Sequence, residues 1–375
     1  MNTTQEHAAN KDDANKDDAN DLSAIVLEQA ERLFRGEVTK ARMEEADRGV
    51  WSADLWRAVE ENGLTLAMVP EEKGGAGLAA ADALQLVRRS AFHTLPLPLA
   101  ETMIAAALWA EASGDCVTGP MTFGPVSPAD SLRVEKKGGD FVLEGTASRL
   151  PWAAQAEHAL LFARDAAGLG HLVLLARGNG RLAARRNLAR EPRDTLVFDK
   201  LSLAGSAVRV APASCKDGLL AHGALIRALQ MAGAMERALD YALSYAMERK
   251  QFGREIAKFQ AIQHMLAEAA GQYAASAAAA DGARDAFGQP HFEMSVALAK
   301  ARVGEAVTRV TDVCHQVHGA MGYTQEHPLH FATRRLWAWR DEFGGEAYWQ
   351  ERVGRIVCER GGDALWLGLT ENRFQ

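Results

Sequence analysis

The residues of this 375-residue sequence whose types could do chemistry fall into small groups, and the spacing within each group decides what that chemistry could be. Cys314, His315 and His318 lie about one helical turn apart and could be imagined as metal ligands. No carboxylate or further histidine joins them in a recognised metal pattern. Ser90 and His93 could pair as a nucleophile and its base, yet the chain has no GxSxG elbow to expose a serine, so hydrolysis is not indicated. Cys116, Cys215, Cys314 and Cys358 are far apart and include no CxxC pair. They point to neither a disulfide framework nor a zinc site, and a reducing cytoplasm is the expected location.

Charge excludes a further class. The net charge is -7, and the segment from Met1 to Asp21 holds six acids against two lysines, which leaves the rest of the chain nearly neutral. Nucleic-acid binding would need Lys and Arg in excess on one face, so no nucleic-acid partner is expected. The N-terminus has no basic region followed by an apolar stretch, and the alanine-rich run from Ala274 to Ala280 is too short to span a bilayer. No membrane insertion is expected.

The elements that must position any site read in three blocks. Asn10 to Asn20 is a short polar repeat, NKDDANKDDAN, that has nothing to bury, and residues 1–21 are expected to be a disordered tail. Apolar residues recur at helical spacing from Leu22 to Val50. Ser52 is placed to cap a helix through Leu55 and Val59 that Gly63 ends, and Ala79 to Ser90 and Pro98 to Ala112 are again helical. Between about Gly119 and Val210 the pattern changes to short strands with glycine turns, among them 132–135, 141–143, 158–162 and 171–176. Long helices follow from Gly218 through Phe287, from Met294 to His318, and from about Arg334 to Cys358, with Gly344-Gly345 inside or before the last.

That order, with two motifs, resembles the acyl-CoA dehydrogenase family over nearly everything after the tail. Arg249-Lys-Gln-Phe-Gly253, followed by Phe259-Gln-Ala-Ile-Gln263 and Leu266-Ala, is similar to the family's RxxFG…FQxxQxxLA. Gln316-Val-His-Gly-Ala-Met-Gly-Tyr323, with Glu326 and Pro328, resembles its QxxGGxGY…E-x-P, and Gly63 to Leu78 resembles its N-terminal GL…VPEexGGxGL stretch. The resemblance implies an α+β chain: an N-terminal helical domain over 22–118, a small β-barrel or sandwich over 119–212, and a C-terminal four-helix bundle over 213–375.

It also implies FAD, an acyl-CoA substrate, an electron-transfer flavoprotein as acceptor, and a homo- or hetero-oligomer arranged as a dimer of dimers. Arg249, Gln251, Phe252, Phe259, Gln260, Gln316, Gly319 and Ala320 would then bind the cofactor between subunits, the arginine fork serving the pyrophosphate. The implied reaction is removal of the α-proton of the thioester by a glutamate while hydride passes from the β-carbon to flavin N5, giving the 2-enoyl-CoA.

Departures from the family pattern cluster on the flavin-ring side. Counting from Gly322-Tyr323 puts Phe343 where the glutamate usually stands, with Glu342 and Asp341 the nearest carboxylates and Glu342 the candidate base. Members that carry the base on an earlier helix would have it at Gly223, with the usual neighbouring arginine falling on Ala224 and Arg227 nearly a turn later. The flavin-binding TEPxxGSD loop is absent from Gly119 to Pro128, and Pro151 stands where a threonine would face the flavin. Gly345 and Ala347 replace the Thr and Gln that often follow the base. The family includes heteromeric enzymes in which one chain type has lost part of the site, and this chain resembles that type. One rival expectation is a homotetramer using Glu342; another is a different flavin reaction, an oxidase or hydroxylase, on the same fold.

Overall fold

The structure, a computed structural model, describes residues 22–371, and the tail expected over 1–21 lies outside the described residues. The helical pattern from Leu22 to Val50 is two helices, α1 over 22–37 and α2 (Lys40–Arg48). Thr39 separates them in an extended conformation, and its hydroxyl accepts from the Arg42 N–H at 3.3 Å as an N-cap. α3 (Ala53–Glu61) begins after Ser52, whose hydroxyl caps nothing, and Gly63 lies beyond its end at φ 69. α4 (Ala80–Phe92) and α5 (Leu99–Ser113) complete the N-terminal layer. α5 is buried on nearly every face, because Leu, Ala, Met and Ile surround its axis.

The strands are β1 (Met121–Gly124), β2 (Leu132–Lys137), β3 (Asp140–Pro151), β4 (His158–Arg164), β5 (Gly170–Ala176), β6 (Arg181–Ala183), β7 (Arg193–Leu203) and β8 (Val208–Val210). They form one eight-stranded sheet in the order β6-β7-β3-β2-β4-β5-β8, with β1 pairing parallel to β4. Alternation is clean in β2, where Leu132 and Val134 are buried and Arg133 and Glu135 exposed. It is broken in β7, where Arg193 and Asp194 are both buried, so that strand was not legible as a period of two.

The C-terminal helices are α6 (Leu220–Glu248), α7 (Gln260–Asp285), α8 (Phe292–His318), α9 (Leu329–Arg340), α10 (Glu346–Arg360) and α11 (Asp363–Thr370). A hairpin of β9 (Lys250–Gln251) and β10 (Arg254–Glu255) joins α6 to α7. α6 is central, packing on α4, α7, α8 and α9, while α8 also carries α10. The helix expected over 334–358 is interrupted between α9 and α10, where Phe343 and Gly344 adopt left-handed φ values of 55 and 88. Glycine tolerates that conformation; phenylalanine does so only where its surroundings over-determine it.

Candidate active site at the joint of the three layers

The Phe343 break is fixed from three sides. Lys300 on α8, fully buried, donates to the carbonyl oxygens of Arg340 at 2.6 Å and Gly344 at 2.7 Å, and the Trp349 Nε1–H donates to the Phe343 carbonyl at 3.0 Å. The ring, 0% exposed, stacks on Phe123 of β1 with centroids 5.4 Å apart and planes 27° off parallel. A further neighbour is Gly223 of α6, where an added Cβ would overlap the Phe343 ring. The two positions at which a base is expected therefore face each other, and an aromatic ring fills the space between them. Phe123 comes from the stretch that should carry the flavin-binding loop.

Glu342 enters a buried network drawn from every layer, one member of which, Arg227, also lies 5.5 Å from the Phe343 ring centroid. Its Oε1 accepts from Arg193 Nε at 2.6 Å and Asn187 Nδ2 at 3.1 Å, and its Oε2 accepts from Arg227 Nε at 2.6 Å. Arg227 also donates to Glu101 Oε1 of α5 at 2.7 Å and to Gln230. Glu191 receives Arg193 at 2.8 Å, Arg335 at 3.1 Å and the Trp339 Nε1–H at 2.9 Å. Three arginines thus balance three glutamates, the condition under which buried charge is tolerated. Burial alone would raise the Glu342 carboxyl, but the Arg193 and Arg227 guanidiniums, with hydrogen bonds from Arg193 and Asn187, outweigh it and hold the group at about 2. A general base for an α-proton needs the opposite shift and a lone pair free toward its substrate.

The residues of the two motifs lie at the far end of the bundle. Arg249 ends α6 with its side chain exposed, and Phe252 at the hairpin turn is 91% exposed. Phe252 meets Phe259 edge-on at 6.1 Å, and the Arg254 guanidinium lies 4.2 Å from the Phe259 ring centroid. Gln251, Gln260, Gln316, Gly319 and Ala320 are also exposed. Tyr245 of α6 stacks on His318 of α8 at 4.7 Å, which ties the helix ends that carry the two motifs. Leu243, Met247, Met321 and Tyr323 add exposed apolar surface at the same end.

Two models of one family match the chain in register with these elements: acyl-CoA dehydrogenase, N-terminal domain, over residues 22–113, and acyl-CoA dehydrogenase, C-terminal domain, over 215–345. Together they span well over half of it. The chain belongs to the acyl-CoA dehydrogenase family. Acyl-CoA dehydrogenase IpdE2 of Mycolicibacterium smegmatis is 28% identical over 308 residues, covering 80% of this chain and 86% of that protein. The structure of the ChsE4-ChsE5 complex from Mycobacterium tuberculosis contains a chain of the same fold, with a TM-score of 0.80 at 22% identity, covering 91% of this chain and 97% of that one. Butyryl-CoA dehydrogenase from Megasphaera elsdenii shares the fold at a TM-score of 0.78 and 20% identity, covering 90% and 98%. This chain is accordingly an oxidoreductase-family flavoprotein by descent.

In this acyl-CoA dehydrogenase chain the stacked rings of Phe123 and Phe343 leave no gap between them, whereas the side chains of Arg249, Gln251 and Gln260 at the far end are exposed. Of the other sequence candidates, Ser90 donates to the Val87 carbonyl and His93 bonds Glu31, so those two do not form a nucleophile and base. Among the described residues no group of three or more His, Cys, Asp or Glu is arranged to hold a metal, and no helix is long and apolar enough to cross a membrane. Glu101, Asn187, Glu191, Arg193, Lys300 and Arg335 carried no local signal, because their roles depend on partners up to 155 positions away.

A cleft of about 1020 Å³ lies between the sheet and the starts of α6 and α10. Arg133, Arg164 and Lys200 line it together with Phe162, Leu219 and Trp349; neither Glu342 nor Phe343 does.

Proposed function

We propose that this chain is the base-less subunit of a heteromeric acyl-CoA dehydrogenase. The assembly carries out FAD-dependent α,β-dehydrogenation of an acyl-CoA thioester, a partner chain of the same fold supplying the carboxylate that takes the α-proton. FAD, when bound, supplies the hydride acceptor. This chain contributes Arg249, Gln251, Phe252, Phe259, Gln260, Gln316, Gly319 and Ala320 to the distal half of a cofactor whose ring the partner holds. An electron-transfer flavoprotein as acceptor, a dimer-of-dimers arrangement and a cytoplasmic location complete the reading.

The observation that carries it is the stack of Phe343 on Phe123 over Gly223, which leaves neither base position with a carboxylate and neither ring face with a slot. The ion pairing of Glu342 argues against a displaced base. The likeness to a chain in a complex of two differently named subunits is consistent with a heteromeric assembly.

The test is flavin content. Purified alone, the chain should be colourless and inert toward a panel of acyl-CoA esters; co-expressed with a base-bearing family member, the complex should hold flavin and bleach anaerobically with one ester. A yellow chain that bleaches alone, with one flavin per chain, would overturn the proposal.

A further inference from the structure

We propose that four imidazoles at the C-terminal end of α8 form a protonation-sensitive fastener for the segment 319–328, so that acidification releases this segment while the rest of the bundle stays packed. His315 and His318 come from α8, His327 from the loop before α9, and His330 from the first turn of α9. The His318 and His327 rings are 4.4 Å apart. His318 also stacks on Tyr245, His327 meets Tyr241 edge-on at 5.3 Å, and His315 stacks on Tyr323 at 4.8 Å. The knot therefore joins α6, α8, α9 and the turn that carries Gly319 and Ala320.

Hydrogen bonds assign the protons. His318 Nδ1–H donates to the Cys314 carbonyl at 2.7 Å, which leaves its buried Nε2 as a lone pair without a partner. His327 Nδ1 accepts from the Leu329 N–H at 3.2 Å, so a proton added there would face another donor. His330 Nδ1–H donates to the His327 carbonyl at 2.8 Å, and His315 Nε2 bonds the Thr333 hydroxyl at 3.2 Å while its buried Nδ1 faces the Gly322 backbone. With neutral rings no donor faces another donor, and a second proton on His318 or His327 has no acceptor among the described residues.

The charges around the knot do not relieve this. Lys40 of α2 donates to the Glu326 carbonyl, Arg334 of α9 pairs with Asp47, and the Arg237 guanidinium of α6 lies 4.2 Å from the Tyr241 ring centroid. The nearby carboxylates are Asp47, already paired with Arg334, Asp240, paired with Arg237 on α6, and Asp312 on α8. Burial first, and like charge second, pushes His327 down to about 4, and burial lowers His315, His318 and His330 as well.

The sign follows directly. A histidine that is neutral when packed and takes up a proton when released favours release as pH falls below the ordinary value of 6.5, until its packed value is reached. Between pH 7 and pH 5 His327 alone raises the opening constant at most about twentyfold, less as solvent screens the half-buried ring.

The test is amide hydrogen exchange of the full chain at pH 7 and pH 5, corrected for the intrinsic rate. Protection over 319–328 should fall at pH 5 while that of α5 is unchanged. His327→Asn offers the Leu329 N–H a carbonyl oxygen that takes no proton, and should shrink the fall; His318→Asn, whose amide can still donate to Cys314, serves if the first variant does not fold. No local loss in the wild-type chain, or an undiminished loss in the folded variant, would overturn the proposal.

Discussion

Replacing Glu342 with glutamine separates a structural carboxylate from a catalytic one. The amide keeps the shape but leaves Arg193 and Arg227, both buried, facing a neutral group, so three arginines would face two glutamates. Two routes give the size. The carboxyl sits at about 2 against an ordinary 4.5, a difference on the order of 3 kcal/mol, and breaking a buried ion pair from one side typically costs about 3–5 kcal/mol. For a chain this long a loss of about 3 kcal/mol lowers Tm by on the order of 4 °C. Because the folded value is depressed, the contribution is present above pH 4.5 and is lost as pH falls toward about 2, so the stability gap between wild type and variant should close over that window. Denaturant titrations at pH 7 and pH 3 measure the gap, and anaerobic bleaching of the folded assembly measures the chemistry. A variant with wild-type stability whose assembly no longer bleaches would refute the reasoning and restore Glu342 as the base.

Two more substitutions probe the ends of the site. Gly223→Ala should gain about 1 kcal/mol of helix propensity, yet lose about 1–3 kcal/mol or more to the overlap with a fully buried ring. A net loss in a denaturant titration is expected, and equal stability would show that the Phe343 ring can swing aside. Arg249→Ala, exposed in the free chain, should leave Tm unchanged but weaken FAD retention by the co-expressed assembly. The loss of one charge-assisted contact corresponds to roughly ten- to a hundredfold in affinity. Unchanged flavin occupancy would remove that residue from the cofactor site.

The sequence by itself determined the order of helices, sheet and helices, because helical period and strand alternation are local properties. It determined the two motifs, whose residues the helix ends of α6 and α8 bring to one surface. Counting along it placed Phe343 at the usual base position and Gly223 at the alternative, two positions 120 residues apart that the fold sets face to face. What it could not determine was the state of Glu342. A carboxylate's pKa depends on charges within a few ångströms, and here Arg193 comes from the sheet and Arg227 from α6, far away in sequence. Nor could helical periodicity predict the break after α9, since the left-handed turn at Phe343 is held by Lys300 and Trp349, whose contacts exist only once α8 and α10 have packed. That turn sends the Phe343 ring toward Phe123 and the Glu342 carboxylate into the arginines, a division of roles between adjacent residues that only tertiary structure decides.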